Sequence, residues 1–353
     1  MTGDPADVTA GGGQRARRGM RLSRRWAVVF ALLGAFVLGT LILAGTGADP
    51  ISAYSAIITG AFGADGFPGT LAYAVPVVGM AVALAVPLRA GMVNLGGEGQ
   101  LVLGAITGTV IGLSSPLPAV PTVVLALLGG ALAGAAYAAL AAFFENKLGV
   151  PLLVSTLLLS YPAMSFASYL VRFPLADAGS SLPQSEQLPD GVALEVTGTG
   201  LALVAVAALA YVVVDARAPI GYEIRMTGLG ARFAAYAGIS RPRLTLRVLA
   251  TSGGLAGLVG AIMVLGFPHR FIDGALITPT YTWIGLLAAL LAGANPLGTV
   301  IAAFFFAAIT NGGFEAERVT QAPRELTAVL QAVIIIFLAS ATGVLKRRKA
   351  GVR

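Results

Sequence analysis

At 353 residues, with 57% of them hydrophobic and only 11% charged, the chain is too apolar for a soluble protein, where about a quarter of residues are charged. It has no cysteine and one histidine, which excludes a disulfide framework, a thiol nucleophile, a Cys-based metal site and a His-paired zinc. The net charge of +7 and a pI near 10 could suit a nucleic acid, but the basic residues follow a membrane pattern rather than a basic groove, so no nucleic-acid partner is expected.

Residues 1–25 are polar, Gly-rich at 11–13 and basic from Arg15 to Arg25, the composition of a disordered cytoplasmic tail. Ser23-Arg24-Arg25-Trp26 before an apolar run has a twin-arginine look. The run Trp26–Ala44 is longer than a signal core and more spans follow, so it is read as a retained first span. After it come Leu71–Leu88, Gln100–Leu113, Val120–Phe144, Pro151–Val171, Leu201–Val214, Val248–Phe267, Tyr281–Ala294, Leu297–Thr310 and Leu326–Thr342. The expectation is an all-α integral membrane protein of about ten transmembrane helices, each needing about 20 apolar residues. The membrane domain covers 26–345 and a short basic tail covers 346–353. The runs on either side of Asn295-Pro296 could form a tight hairpin.

Ten spans put both termini on one side, and the Lys and Arg residues decide which. Nineteen of the 23 fall in the N-terminal tail, at Arg89 and Lys147, in the loop 215–247 and in the C-terminal tail. Only Arg172, Arg270, Arg318 and Arg324 fall on the other face. Both termini and the loop 215–247 are therefore expected in the cytoplasm of a multi-pass cell-membrane protein. The outer loop 172–200 carries Asp177, Glu186, Asp190 and Glu195 and is either a solvated connector or a surface for an extracellular partner. The two halves of five spans would have opposite orientations, as in inverted repeats that place a substrate path at their interface. Gly104-x3-Gly108-x3-Gly112 and Gly253-x3-Gly257 are spaced for close helix packing.

The segment Gly91-Met92-Val93-Asn94-Leu95-Gly96-Gly97-Glu98-Gly99-Gln100 lies between apolar runs and holds the only acid between Asp65 and Glu145. Irregular backbone at membrane depth needs protein around it, and an ionisable group there is a candidate for function. Asn94, Glu98 and Gln100 are candidates to line or gate a path. For Glu98 a structural cap near a helix N-terminus is the competing reading. In the loop 215–247, Leu229–Ala237 can form a short helix stopped by Gly238. It would expose Phe233 and Tyr236 beside Arg232, either to anionic lipid or to a cytosolic partner. His269 reads as an interfacial anchor, and Phe271, Tyr281 and Trp283 as interfacial aromatics.

There is no phosphate-binding G-x-x-x-x-G-K-[ST], so the chain is not expected to hydrolyse ATP itself. There is no H-E-x-x-H and no row of intramembrane carboxylates. A membrane-embedded enzyme is therefore disfavoured, and Glu98 and Glu145 alone would be a thin basis for proton coupling.

Several ordered motifs resemble the permease subunits of bacterial ABC importers of the branched-chain amino acid, ribose and nucleoside type. They are Asn94–Gln100, Gly221-Tyr222-Glu223-Ile224-Arg225 with Gly228, Ala234-Ala235-Tyr236 and Gly238-Ile239, then Ser252–Ala261, and Ile284–Leu291 with Asn295-Pro296-Leu297-Gly298. The resemblance covers about residues 70–340, and the long basic N-terminus is most like the larger permease of nucleoside importers. It implies a second permease, two cytosolic ATPases holding ATP and Mg, and an extracytoplasmic binding protein. It also implies an ATPase-coupling role for Arg225, Gly228, Arg232, Phe233, Tyr236 and Gly238. No cofactor or metal is expected on this chain, and membrane lipid is its solvent. The chain departs from the family where Leu229-Gly230-Ala231 replaces an Asn-Pro, and where Ser160 stands in place of an Asn that could bear on specificity in the path. A stand-alone secondary transporter of a small polar solute is the rival reading.

Overall fold

The computed structural model describes residues 24–45, 47, 49–320, 329, 332, 333 and 336. The expected tails and the expected tenth span, Leu326–Thr342, fall almost wholly outside the described residues. The described chain is mostly helical and contains no strand, only isolated bridges at Ala176–Ser185 and Gln184–Ile272. The helices are α1 (Arg24–Gly45), α2 (Pro50–Phe62), α3 (Phe67–Arg89), α4 (Gly97–Ser114), α5 (Ala119–Leu148), α6 (Leu152–Arg172), α7 (Leu201–Arg217), α8 (Pro219–Leu229), α9 (Ala231–Tyr236), α10 (Arg241–Gly266), α11 (Tyr281–Leu291) and α12 (Pro296–Thr320).

Six helical stretches among the described residues are long and apolar enough to cross a membrane: α3, α5, α6, α7 with the π-helical turn before it, α10 and α12. Three predicted spans are not among them: the first, Trp26–Ala44 in α1, whose end is bent by 119° against α2, and those in α4 and α11. α4 opens on polar Gly97-Glu98-Gly99-Gln100, and α11 has 11 residues, about 16 Å of helix. α2 was absent from the predicted elements. Asp49 starts it as N-cap, accepting from the Ile51 and Ser52 amides, with Pro50 at the first helical position. The loop 215–247 is also more helical than expected, holding α8, α9 and the first turns of α10. α12 runs ten residues past the predicted end at Thr310, to Thr320. There Asn311 Nδ2 donates to the carbonyls of Gly60 and Gly66 and to Thr70 Oγ1, tying α12 to the α2–α3 turn.

α3 and α10 form the core, buried along most of their length, while α5 and α7 turn apolar side chains outward. The glycines explain how α4 and α5 crowd against α10. A methyl on Gly104 of α4 would stand 2.1 Å from the Gly257 carbonyl, and one on Gly134 of α5 2.2 Å from that of Gly253. Backbones this close gain dispersion contacts that lipid cannot offer, so small residues at that spacing bind helices in a bilayer.

The loop 172–200, expected as a solvated connector or a partner surface, is a folded cap. Ser185 N donates to Phe271 O at 2.9 Å and Leu188 N to His269 O at 2.8 Å. Arg270 pairs with Asp177 at 3.1 Å and Arg172 with Asp273 at 2.9 Å. Its own Leu188, Val192 and Leu194 are buried. Phe271 is buried too, so it is a core residue and not an interfacial aromatic. His269 places Nδ1 2.8 Å from the Leu265 carbonyl, at the junction that carries the cap.

Candidate functional site

The chain leaves α3 through a tight reversal. Gly91 has φ +73, and the Gly91 and Met92 amides close onto Leu88 and Pro87 carbonyls. Residues 92–96 are then irregular and pass through protein, so their polar groups need partners. Asn94 supplies most of them. Its Nδ2 donates to Gln100 Oε1 at 2.9 Å and to Ser252 Oγ of α10 at 3.0 Å. Its Oδ1 accepts from Gly96 N at 2.9 Å and from Gln100 Nε2 at 3.2 Å. Leu95 N donates to Thr156 Oγ1 of α6 at 3.1 Å. Asn94 and Gln100 are 1% and 2% exposed, so this reciprocal amide pair is sealed from solvent and latches the segment to α4 and α10.

α4 therefore begins deep in the bundle. A methyl on Gly97 would meet Thr282 of α11 at 2.8 Å and Met80 and Leu84 of α3 at 3.1 and 3.2 Å. Met80 is near the middle of α3, so α4 starts halfway along its neighbour. α11 starts close by: Tyr281 packs edge-on to Tyr73 with ring centres 5.1 Å apart, and Tyr73 Oη donates to Pro279 O. The N-termini of two interrupted helices thus converge, each with unpaired amides and a positive dipole end. Glu98 stands there part-buried, with the Trp283 indole as its neighbour. A carboxylate acceptor, an aromatic face and two helix N-termini suit a polar, hydroxyl-bearing solute.

Ser160 lies elsewhere, on α6, facing α4. It is 3% exposed, Gly99 packs against it, and among the described residues its hydroxyl has no hydrogen-bond partner. The structure brings Asn94 and Gln100 together and sets Glu98 beside Trp283, while Ser160 belongs to the α4–α6 contact. Ser252, Thr156 and Thr282 carried no signal of their own in sequence, because each is one small polar residue in an apolar or glycine-rich run.

On the basic side, α8 is docked and α9 protrudes. Asp215 at the end of α7 receives Arg89 Nε at 3.1 Å and Nη2 at 3.2 Å, and Arg225 of α8 stands at 3.6 Å. Gly228 lies on the Arg89 carbonyl and next to Gly91. Beyond it, α9 is shorter than the predicted Leu229–Ala237 because Gly230 is extended and splits it from α8. Gly238, at φ +80, ends it, with the Ile239 amide donating back to Ala234 O. Arg232 is exposed, and Phe233 and Tyr236 are 75% and 90% exposed.

The family model described as branched-chain amino acid transport system / permease component matches residues 67–339. The chain is 31% identical over 344 residues to the glucose ABC transporter permease protein TsgB13 of Haloferax volcanii, covering 92% of this chain and 89% of that one. It is 28% identical over 333 residues to the guanosine ABC transporter permease protein NupP of Bacillus subtilis, covering 91% and 94%. A second Bacillus subtilis protein, the guanosine ABC transporter permease protein NupQ, is 26% identical over 264 residues, covering 68% and 78%.

Proposed function

The chain belongs to the permease-component family of branched-chain amino acid transport systems, and from that premise we propose that it imports a nucleoside or sugar as one of two unlike permeases. It is a multi-pass membrane protein and a transport subunit, not an enzyme. Its ABC relatives weigh against a stand-alone secondary transporter.

In this reading ten spans place both termini in the cytoplasm, as the nineteen basic residues on one face require. The five-plus-five inverted repeat and the outer loop 172–200 as a landing surface for a binding protein are parts of the same proposal. Two guanosine permeases in one relative's organism support a heterodimer. Two cytosolic ATPases, holding ATP and Mg, would grip α9 through Phe233, Tyr236 and Arg232. Glucose and guanosine both carry a hydroxylated ring, and a carboxylate beside an indole is an apt acceptor-and-face pair for one. Glu98 would face the solute, Asn94 and Gln100 would hold the path's wall, and Ser160 would tune it from the α4–α6 contact.

The observation that carries the reading is the unbroken packing from α9 and α8, through Gly228 and Arg225, to the end of α3 and the segment leading to Glu98. ATP-driven closure of the ATPases would bias one of two arrangements of this unit. The test is co-purification from solubilised membranes. Wild type should bring down an ATPase, and a Phe233→Ala/Tyr236→Ala variant should lose it. An ATPase retained by both moves the contact off α9, and none with wild type even after crosslinking ends the proposal.

A further inference from the structure

A cavity of about 180 Å³ opens between α3, α7, α8 and α10, on the basic side and away from Glu98. Its walls are almost wholly apolar: Val86, Ala207, Ala210, Ile224, Val248 and Leu255 contribute them. Tyr211 turns its ring to the cavity, while its hydroxyl is committed to the carbonyls of Ala85 and Ala294. Such walls offer water few hydrogen-bond partners. The α10 face that lines it is about a quarter-turn from the one that meets the central site, since Thr251 borders the cavity while the adjoining Ser252 reaches Asn94.

The rim carries charge. Arg247 borders the cavity, and Arg243 lies one turn earlier on the same side of α10, both exposed. Among the described residues neither has a carboxylate within ion-pair distance. The one acid at the cavity, Asp215, is already neutralised by Arg89 and Arg225. Two unpaired cations above an open, mainly apolar slot on the flank of two membrane-crossing helices complement a molecule with one anionic head and a hydrocarbon tail.

We propose that this cavity is a binding site for an anionic phospholipid, its acyl chain between α7 and α10 and its phosphate on Arg247 and Arg243. The site needs only that α7 and α10 cross the bilayer, so it stands or falls apart from the transported solute and the ATPase contact.

The full chain, purified in detergent with any subunits that stay bound, would be equilibrated with dioleoyl-phosphatidylglycerol or dioleoyl-phosphatidylcholine and its bound lipid counted by native mass spectrometry. Wild type should retain the phosphatidylglycerol preferentially. Arg247→Gln should cut that retention about fivefold, the effect of one cation near the head group, and leave phosphatidylcholine unchanged. Ala210→Phe, at an exposed position on the cavity wall, should abolish retention of both lipids. Equal retention of the two lipids by wild type, full phosphatidylglycerol retention by Ala210→Phe, or a protein subunit found crosslinked at Ala210 in place of lipid would each overturn the proposal.

Discussion

Gly228 of α8 sits so close to Arg89 at the end of α3 that a methyl on it would stand 2.1 Å from the Arg89 carbonyl oxygen. The obstacle is backbone, which cannot rotate away. Gly228→Ala should therefore push α8 off α3 at a cost of about 1–3 kcal/mol, the range for overpacking. The check is a lowered melting temperature in detergent, together with weakened stimulation of the partner ATPase by substrate. A variant as stable and as well coupled as wild type would show that α8 and α3 move independently.

Asp215 should matter far more than an exposed acid. Its side chain is 12% exposed and faces both Arg89 and Arg225. Asp215→Asn leaves two partly buried cations with a neutral partner, a loss of about 1–3 kcal/mol. Glu315→Gln breaks the Arg318 pair, whose side chains are 37% and 79% exposed, and should cost about 0–1 kcal/mol. Thermal unfolding of the two variants side by side measures the difference, and equal shifts would refute it.

The Asn94–Gln100 amide pair predicts a double-mutant result. Asn94→Leu strands the Gln100 amide and the Gly96 N–H in a dry interior, at about 1–3 kcal/mol for each stranded group. Adding Gln100→Leu removes one of those stranded groups. The double variant should then be less destabilised than the sum of the singles, a coupling readable in melting temperatures. Strict additivity would mean that the two amides act separately.

Glu98→Gln keeps shape and partial burial while removing the charge. Melting should shift by under about 1 kcal/mol, as for an isosteric change at a partly exposed position. Uptake of labelled guanosine or glucose by cells carrying the whole importer should fall by an order of magnitude or more if the carboxylate accepts solute hydroxyls. Unchanged uptake with unchanged stability would assign Glu98 to neither role, and a large stability loss would make it a cap.

Much was legible before any coordinates. The apolar runs announced α3, α5, α6 and α10, the Gly-x3-Gly spacing announced close helix packing without its partners, and Asn94–Gln100 stood out as polar chain where lipid forbids it. α2 was missed although Asp49-Pro50 is a helix start, because a 13-residue apolar stretch is too short to read as a span. α8 was read as loop because Gly221 and Gly228 lower helix propensity, whereas in the fold they are the points of close approach, Gly221 to the Val214 carbonyl and Gly228 to that of Arg89.

The sequence by itself determined that the chain lives in a membrane, which loops are basic, and where an ionisable residue interrupts an apolar run, since each is a local property of composition and spacing. Only the tertiary structure decided that α4 begins halfway along α3, that Asn94 finds Gln100 and Ser252, that Glu98 faces Trp283, and that Arg225 is held by Asp215. Those pairings join residues up to 185 positions apart, as with Glu98 and Trp283. They depend on how closely glycine faces let helices approach, a distance that no single helix's sequence encodes.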